Sequence, residues 1–375
     1  MNTKKILTIT ALVVLTILLA SFTTNVSNSV KTLILVLSLI LLSISQLIPK
    51  LEKFNTKYIY DIFHNDENKL IIVMPAESDP PNIEYIHSNS NFKFKLHSCP
   101  DNPGHTFIYE LLLETEYNEK IQLLINEKIF NVKVSKYPEF KDEVIMSTIV
   151  YNEDNYIRQW IQFHLNIGVT RFIIYDNSKI NEKSSNLKKV LSDFIEKGIV
   201  VLIEWDYPYM LPNSGISGQT TQQNHSIYAF RNSKYIGLFG IDEYINMQNN
   251  TNITDFFDSL IKNNKINTNK IGSFRFLNKF FTNPDNLPVN GYDFLSIYNC
   301  KEIDKTGREK NFVIPKNVET FAVHMITKGK KMYNVDSKLV YFNHYQFLNK
   351  LTRGRDRSNL QDKTILKHCK FLNPK

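Results

Sequence analysis

The sequence predicts an α/β domain on a mostly parallel sheet, preceded by a small β-rich module and an N-terminal membrane-anchoring helical segment. Three observations carry this. Residues 143–177, EVIMSTIVYNEDNYIRQWIQFHLNIGVTRFIIYDN, read as strand, helix and strand. Short alternating apolar segments fill residues 54–140, and two long apolar runs occupy the first fifty positions. The chain divides accordingly into residues 1–53, 54–140 and 141–375.

Residues 6–22 and 32–48 are nearly uninterrupted apolar runs, near the lower length limit of a spanning helix, separated by a polar turn. Lys4 and Lys5 flank the first run and Lys50, Lys53 and Lys57 flank the second, against Lys31 at the turn. Charge counting therefore reads a helical hairpin with the soluble part cytosolic. A removed signal peptide or single signal anchor would instead leave it lumenal.

In the next stretch, residues 70–74, 92–96, 107–113, 121–125 and 129–134 have strand length and are bounded by turn residues. His64, His87, His97 and His105 lie here, but their spacing fits no metal-ligand pattern, and surface or hydrogen-bonded roles are expected. Tyr137-Pro138-Glu139 reads as a linker.

In the main domain, Val144, Ile145, Ile149 and Val150 mark a first strand. Ile157, Trp160, Ile161 and Leu165 share one helix face, and Gly168 stands where a helix closes in a left-handed residue. A crossover of this length makes the strand at 172–175 parallel to the first and puts both strand ends on one edge, where open α/β sheets bind ligands. That edge collects Asn152, Glu153, Asp176 and Asn177. A helix through Leu187, Val190, Leu191, Phe194 and Ile195, a strand at 199–205, a helix at 219–232 and a buried strand at 235–239 extend the pattern. The last strand runs into Gly240-Ile241-Asp242-Glu243, an acidic pair suited to a divalent cation bridging substrate phosphates. Neither a Gly-x-Gly-x-x-Gly nor a P-loop motif occurs, so dinucleotide and P-loop chemistry drop out.

Composition agrees with a folded protein. In 375 residues, 42% hydrophobic and 12% aromatic content supports cores rather than disorder. A net charge of +8 fits phosphate or an anionic membrane surface, but its spread along the chain argues against nucleic acid. Cys99, Cys300 and Cys369 are too scattered for a zinc site or a disulfide framework. Phe274, Phe276, Phe280, Phe281 and Tyr292 are read mainly as core, and Arg353, Arg355 and Arg357 as a cationic strip for diphosphate, lipid or solvent.

The order of these motifs resembles glycosyltransferase family 92 and related family 2-like transferases of GT-A fold. Asn152-Glu153, Trp160, His164, Gly168, Tyr175-Asp176-Asn177-Ser178, Gln222-Gln223, Asp242-Glu243-Tyr244, Val323-His324 and Asn343-His344-Tyr345 carry the likeness. It implies inverting transfer of a sugar from a nucleotide donor, a UDP-sugar, to a glycan or glycolipid hydroxyl, with a divalent metal, Mn2+, neutralising the departing diphosphate. By position, Asn152, Glu153, Asp176 and Gln223 would hold the nucleotide, and Asp242 would bind metal with His324 or His344. Asp242 and Glu243 are the candidate catalytic pair, with Asp285, Asp293 and Asp304 as other candidates for the base. Gly240 stands where the family usually has Asp, which leaves open a non-catalytic relative that binds glycan or nucleotide.

Overall fold

The computed structural model describes residues 59–369, apart from 66, 78, 89, 99–105, 114–118, 179–185, 213–214, 283–294, 296, 306 and 346–359. The two apolar N-terminal runs, Asp285, Asp293 and the arginine strip lie outside the described residues. Among those described, no helix is long and apolar enough to cross a membrane.

The first nine strands are β1 (Asp61–His64), β2 (Lys69–Pro75), β3 (Ile83–His87), β4 (Ser90–Lys93), β5 (Lys95–His97), β6 (Thr106–Leu112), β7 (Lys120–Ile125), β8 (Lys128–Lys133) and β9 (Ser135–Lys136). They form two sheets, ordered β5-β6-β2-β1-β9 and β4-β3-β7-β8. The single strand expected at 92–96 is two, because the chain passes from one sheet to the other at Phe94. Strands β1 and β3 were not anticipated from the sequence.

The near-continuous apolar run of β2 has a physical reason: the strand is buried on both faces. Leu70, Ile72 and Met74 point into the module's own core, while Ile71 and Val73 join Ile145, Ile173, Tyr175 and Ile236 of the following domain. Residues 137–139 are therefore not a free tether. The Tyr137 hydroxyl donates to Asp61 at 2.5 Å, and the neighbouring Phe140 stacks on Phe230.

The following domain contains β10 (Val144–Val150), α1 (Asp154–Asn166), β11 (Arg171–Asp176), α2 (Leu187–Val190), α3 (Ser192–Glu196), β12 (Val200–Glu204), α4 (Ser217–Ala229), β13 (Tyr235–Leu238), β14 (Glu243–Met247) and α5 (Ile253–Asn264). After them come β15 (Ile271–Phe276), β16 (Asn278–Phe281), β17 (Asn299–Asp304), β18 (Lys310–Val313), β19 (Val318–Ala322), β20 (Met325–Gly329), β21 (Lys331–Asn334), β22 (Val340–Tyr345) and β23 (Leu360–Gln361). The helix expected through Leu187 and Ile195 is broken at Leu191 into α2 and α3.

The main sheet runs β12-β11-β10-β13-β18-β15-β21. Strands β10 to β13 are mutually parallel as expected, with Gly168 left-handed at φ 95° before β11. Strand β18 is antiparallel to both its neighbours, so the sheet is mixed. Because β10 has β11 on one side and β13 on the other, the strand order reverses there, and a crevice opens at the carboxyl ends.

Helix α4 shows no apolar stripe because it is buried nearly all round. Several of its polar groups are matched in kind. Gln222 Nε2 donates to Ser147 Oγ at 2.9 Å, and Asn224 bonds both the carbonyl and the N–H of Phe321. His225 lies between the Asp61 carboxylate at 2.9 Å and the Tyr175 hydroxyl at 2.7 Å, joining module, helix and central strand.

Phe274, Phe276, Phe280 and Phe281 are buried, as read from the sequence.

Candidate functional site

The crevice is a cleft of about 870 Å³ lined by the ends of β10, β11 and β13, the start of α4, and the β18 and β19–β20 segments. Its floor is the turn leaving β13. The acidic pair does not stand together on one strand end: Gly240–Asp242 form the turn, and Glu243 already begins β14. That strand joins a different sheet and pairs antiparallel with β22, with Glu243 opposite His344.

This register assembles the cluster. Asp242, Glu243 and His344 each offer a ligand atom within 4.8 Å of the others. His344 Nε2 is 3.2 Å from Asp242 Oδ2, and its Nδ1, buried with no hydrogen-bond partner, is 3.9 Å from Glu243 Oε1. Burial alone would lower the His344 pKa, but the Asp242 charge and hydrogen bond, aided by Glu243, raise it. Burial would raise that of Asp242, but His344 and Lys310 bring it below the usual carboxylate value.

Glu243 is 2% exposed and differently engaged. Its Oε2 accepts from the Gly240 N–H at 2.7 Å and pairs with Lys310 Nζ at 3.2 Å. A carboxylate held by an amide and a buried ammonium braces the turn, which is a poor arrangement for a base. Its Oε1 faces the imidazole.

Two carboxylates and an imidazole are a donor set that a divalent transition ion accepts. Asp242, Glu243 Oε1 and His344 are the residues that would hold it. His324 does not join them. It sits in the two-residue turn between β19 and β20, lines the cleft, and its Nδ1 lies 2.6 Å from the Glu309 carbonyl. Burial, followed by the Lys310 charge, lowers its pKa to about 4, so it is neutral with Nδ1–H donating. The preceding Val323 has φ 41°, a strained value for a β-branched residue.

The predicted nucleotide residues divide. Glu153 and Gln223 line the cleft, and burial with the Asp242 charge pushes the Glu153 carboxyl up to about 7. Asn152 and Asp176 are not among its lining residues. Asn152 turns the chain at φ 54° and donates its N–H to Ser178 Oγ, while Asp176 Oδ1 accepts the Ser178 N–H at 3.0 Å. They shape the edge, and Asn177 beside them faces the cleft. Asp304 ends β17, and it too is absent from the lining.

Sequence reasoning missed Arg308, Lys310 and Tyr209, all of which border the cleft. Lys310 and Arg308 had no local motif to mark them. The one available signal was a Tyr in a Pro-, Gly- and Ser-rich loop ahead of α4.

Comparison with known proteins agrees in one direction. Residues 143–370 match glycosyltransferase family 92. A family 92 protein of Oryza sativa subsp. japonica is 21% identical over 205 residues, covering 53% of this chain and 32% of the relative. One from Ricinus communis is 20% identical over 213 residues, covering 55% and 35%. The chain thus spans about a third of the length of these curated relatives. Among solved structures, S. aureus TarS 1–349 in complex with UDP superposes with a TM-score of 0.34 at 12% identity, covering 55% of this chain and 60% of that one. The bifunctional WbbM apo structure gives 0.26 at 12%, covering 50% and 36%. Superpositions this loose carry no argument about chemistry. The family match spans more than half the sequence and takes in every residue of the cluster on the cleft floor, so the chain belongs to glycosyltransferase family 92.

Proposed function

We propose that this protein transfers a sugar from a nucleotide-sugar donor, a UDP-sugar, to a hydroxyl of a glycan or glycolipid, with inversion and with Mn2+ as cofactor. The observation that carries the reading is the Asp242, Glu243 and His344 cluster on the floor of a large cleft at the switch point of an α/β sheet. Bound there, a divalent ion supplies positive charge to the departing diphosphate. The chain adds its own: Lys310 and Arg308 border the same cleft. Glu153 and Asn177 stand where a nucleoside would lie, and Glu153, with its carboxyl held near neutrality, is suited to hydrogen-bond it in either protonation state. The N-terminal apolar runs support membrane attachment, with the domain cytosolic if they form a hairpin and lumenal if only one spans.

A second reading, binding without transfer, draws on Gly240. A Cβ there would lie 2.7 Å from Asp242 Oδ1, so Asp242 occupies space that the family's usual Asp side chain would need.

The test is calorimetric titration with UDP, with and without Mn2+, followed by donor turnover. Metal-dependent UDP binding that is lost in Asp242→Ala, together with metal-stimulated UDP release from UDP-sugars, is the expected result. Binding without release under any metal would favour the second reading, and no UDP binding by the folded protein under any metal would defeat the transfer reading and leave a glycan as the ligand of the second.

A further inference from the structure

The described residues of the loop between β12 and α4 are fastened at several points. Asn177 Nδ2 donates to the carbonyls of Trp205 and Tyr207, both at 2.7 Å. The Tyr207 ring stacks on Tyr60 of the module, 3.9 Å between centroids and 6° between planes. Gly218, at the start of α4, lies so close that a Cβ there would sit 2.0 Å from the Pro208 carbonyl oxygen and 2.7 Å from that of Tyr209. Farther along, Leu211 and Gly215 close on each other by backbone hydrogen bonds in both directions. The Tyr209 hydroxyl donates to Gln219 Oε1 at 2.6 Å.

All this fixes one aromatic ring. Tyr209 lines the cleft, yet it is 40% exposed, and its neighbour Met210 is 64% exposed. The ring lines the same cleft as Asp242 and Glu243. An aromatic side chain held still and left uncovered beside a catalytic cleft has no packing reason to be there. Asn177 is 3% exposed at the β11 end, whereas the Tyr209 ring lies on the α4 side of the same cleft with much of its surface open to solvent, the side from which a second substrate would enter.

We propose that Tyr209 is a specificity-determining residue that receives the acceptor saccharide, its ring face stacking against the C–H face of a pyranose while the hydroxyl stays with Gln219. This rests on the transferase reading above and adds the surface on which the second substrate lies. Its rigidity has a use. A ring already immobilised loses no rotamer freedom on binding, so the stacking contact is retained as affinity.

The experiment uses the full chain with UDP and Mn2+ on a printed array of defined glycans, with UDP affinity and thermal melting measured in parallel. Tyr209→Ala is expected to lower glycan retention about five- to tenfold, as loss of one aromatic contact does, while UDP affinity and melting stay unchanged. Tyr209→Phe and Tyr209→Trp, which keep a ring, should retain the same glycans. An equal loss of UDP affinity in Tyr209→Ala would assign the ring to the nucleoside and overturn the proposal, as would an array pattern indistinguishable from wild type. A wild-type protein that binds UDP but retains no glycan would also overturn it while leaving the donor site standing. Failure to bind UDP at all would instead remove the transferase reading beneath it.

Discussion

The indole Nε1 of Trp160 donates to the backbone carbonyl of Glu243 at 3.0 Å, so the first helix of the α/β domain holds the acidic turn directly. Trp160 is fully buried, and His164 one turn on lies between it and Tyr244. In sequence these residues carry part of the family likeness, and in the structure they pack beneath the start of β14.

Trp160→Phe removes that donor and part of the ring volume. It should cost about 2–4 kcal/mol in urea unfolding, from an unsatisfied buried carbonyl and a small cavity. UDP affinity in Mn2+ should fall as well, since Glu243 is adjacent to Asp242. A destabilised variant with unaltered Mn2+-dependent UDP affinity would make Trp160 a core residue only.

Gly240→Asp restores the family's usual residue at a place where the new Cβ would meet Asp242 Oδ1 at 2.7 Å. Asp242 must swing away from His344, and a second carboxylate arrives beside it. The expected outcome is a metal-free protein less stable by about 1–3 kcal/mol, with a larger rise in melting temperature on adding Mn2+ than wild type shows. Equal Mn2+ shifts in the two proteins would count against the cluster as the metal site.

Asp61→Ala leaves His225 and the Tyr137 hydroxyl without their acceptor in a buried seam. A loss of about 2–4 kcal/mol is expected. Because Ile71 and Val73 share a core with Ile145 and Ile236, module and domain should unfold in one transition, with calorimetric and van't Hoff enthalpies equal. Two resolved transitions would separate them.

Acid should destabilise the fold through three histidines. Burial lowers the pKa of His164 to about 3 and that of His368 to about 4, and burial followed by the Lys310 charge does the same for His324. Each binds a proton more readily when unfolded. Their stabilisation is therefore complete above the unfolded value near 6.5 and is lost as pH falls toward the folded values, at up to about 1.4 kcal/mol per pH unit for each. His344 runs the other way: its raised pKa contributes below the unfolded value and is lost as pH climbs through the folded one. Metal-free melting curves should show a steep acid limb, and His344→Gln should flatten the alkaline limb. A melting temperature constant from pH 7 to 4 would refute the neutral, buried histidines.

The local parts of this structure were legible. The β10-α1-β11 unit, the left-handed Gly168 and the end of β13 ahead of Gly240 follow from residue spacing, because period and turn chemistry are short-range. Helix α4 was seen through its position, but its total burial was not, since polar Gln222, Asn224 and His225 look solvent-facing until distant partners are supplied. His324 and His344 were equivalent in sequence. Only the β14–β22 register, which places His344 opposite Glu243, separates them, and long-range pairing leaves no local mark. The same applies to Lys310, brought to Glu243 by β18.

That register also has a consequence in time. Strand β14 stays unpaired on the ribosome until β22 has been made, roughly a hundred residues later. At ordinary translation rates the interval is roughly 5–20 s. Through most of that interval β13 also waits for β18, and the acidic turn has neither Lys310, His344 nor a partner strand. The cleft floor is thus closed by strands made late among those described, β18 bringing Lys310 and β22 bringing His344.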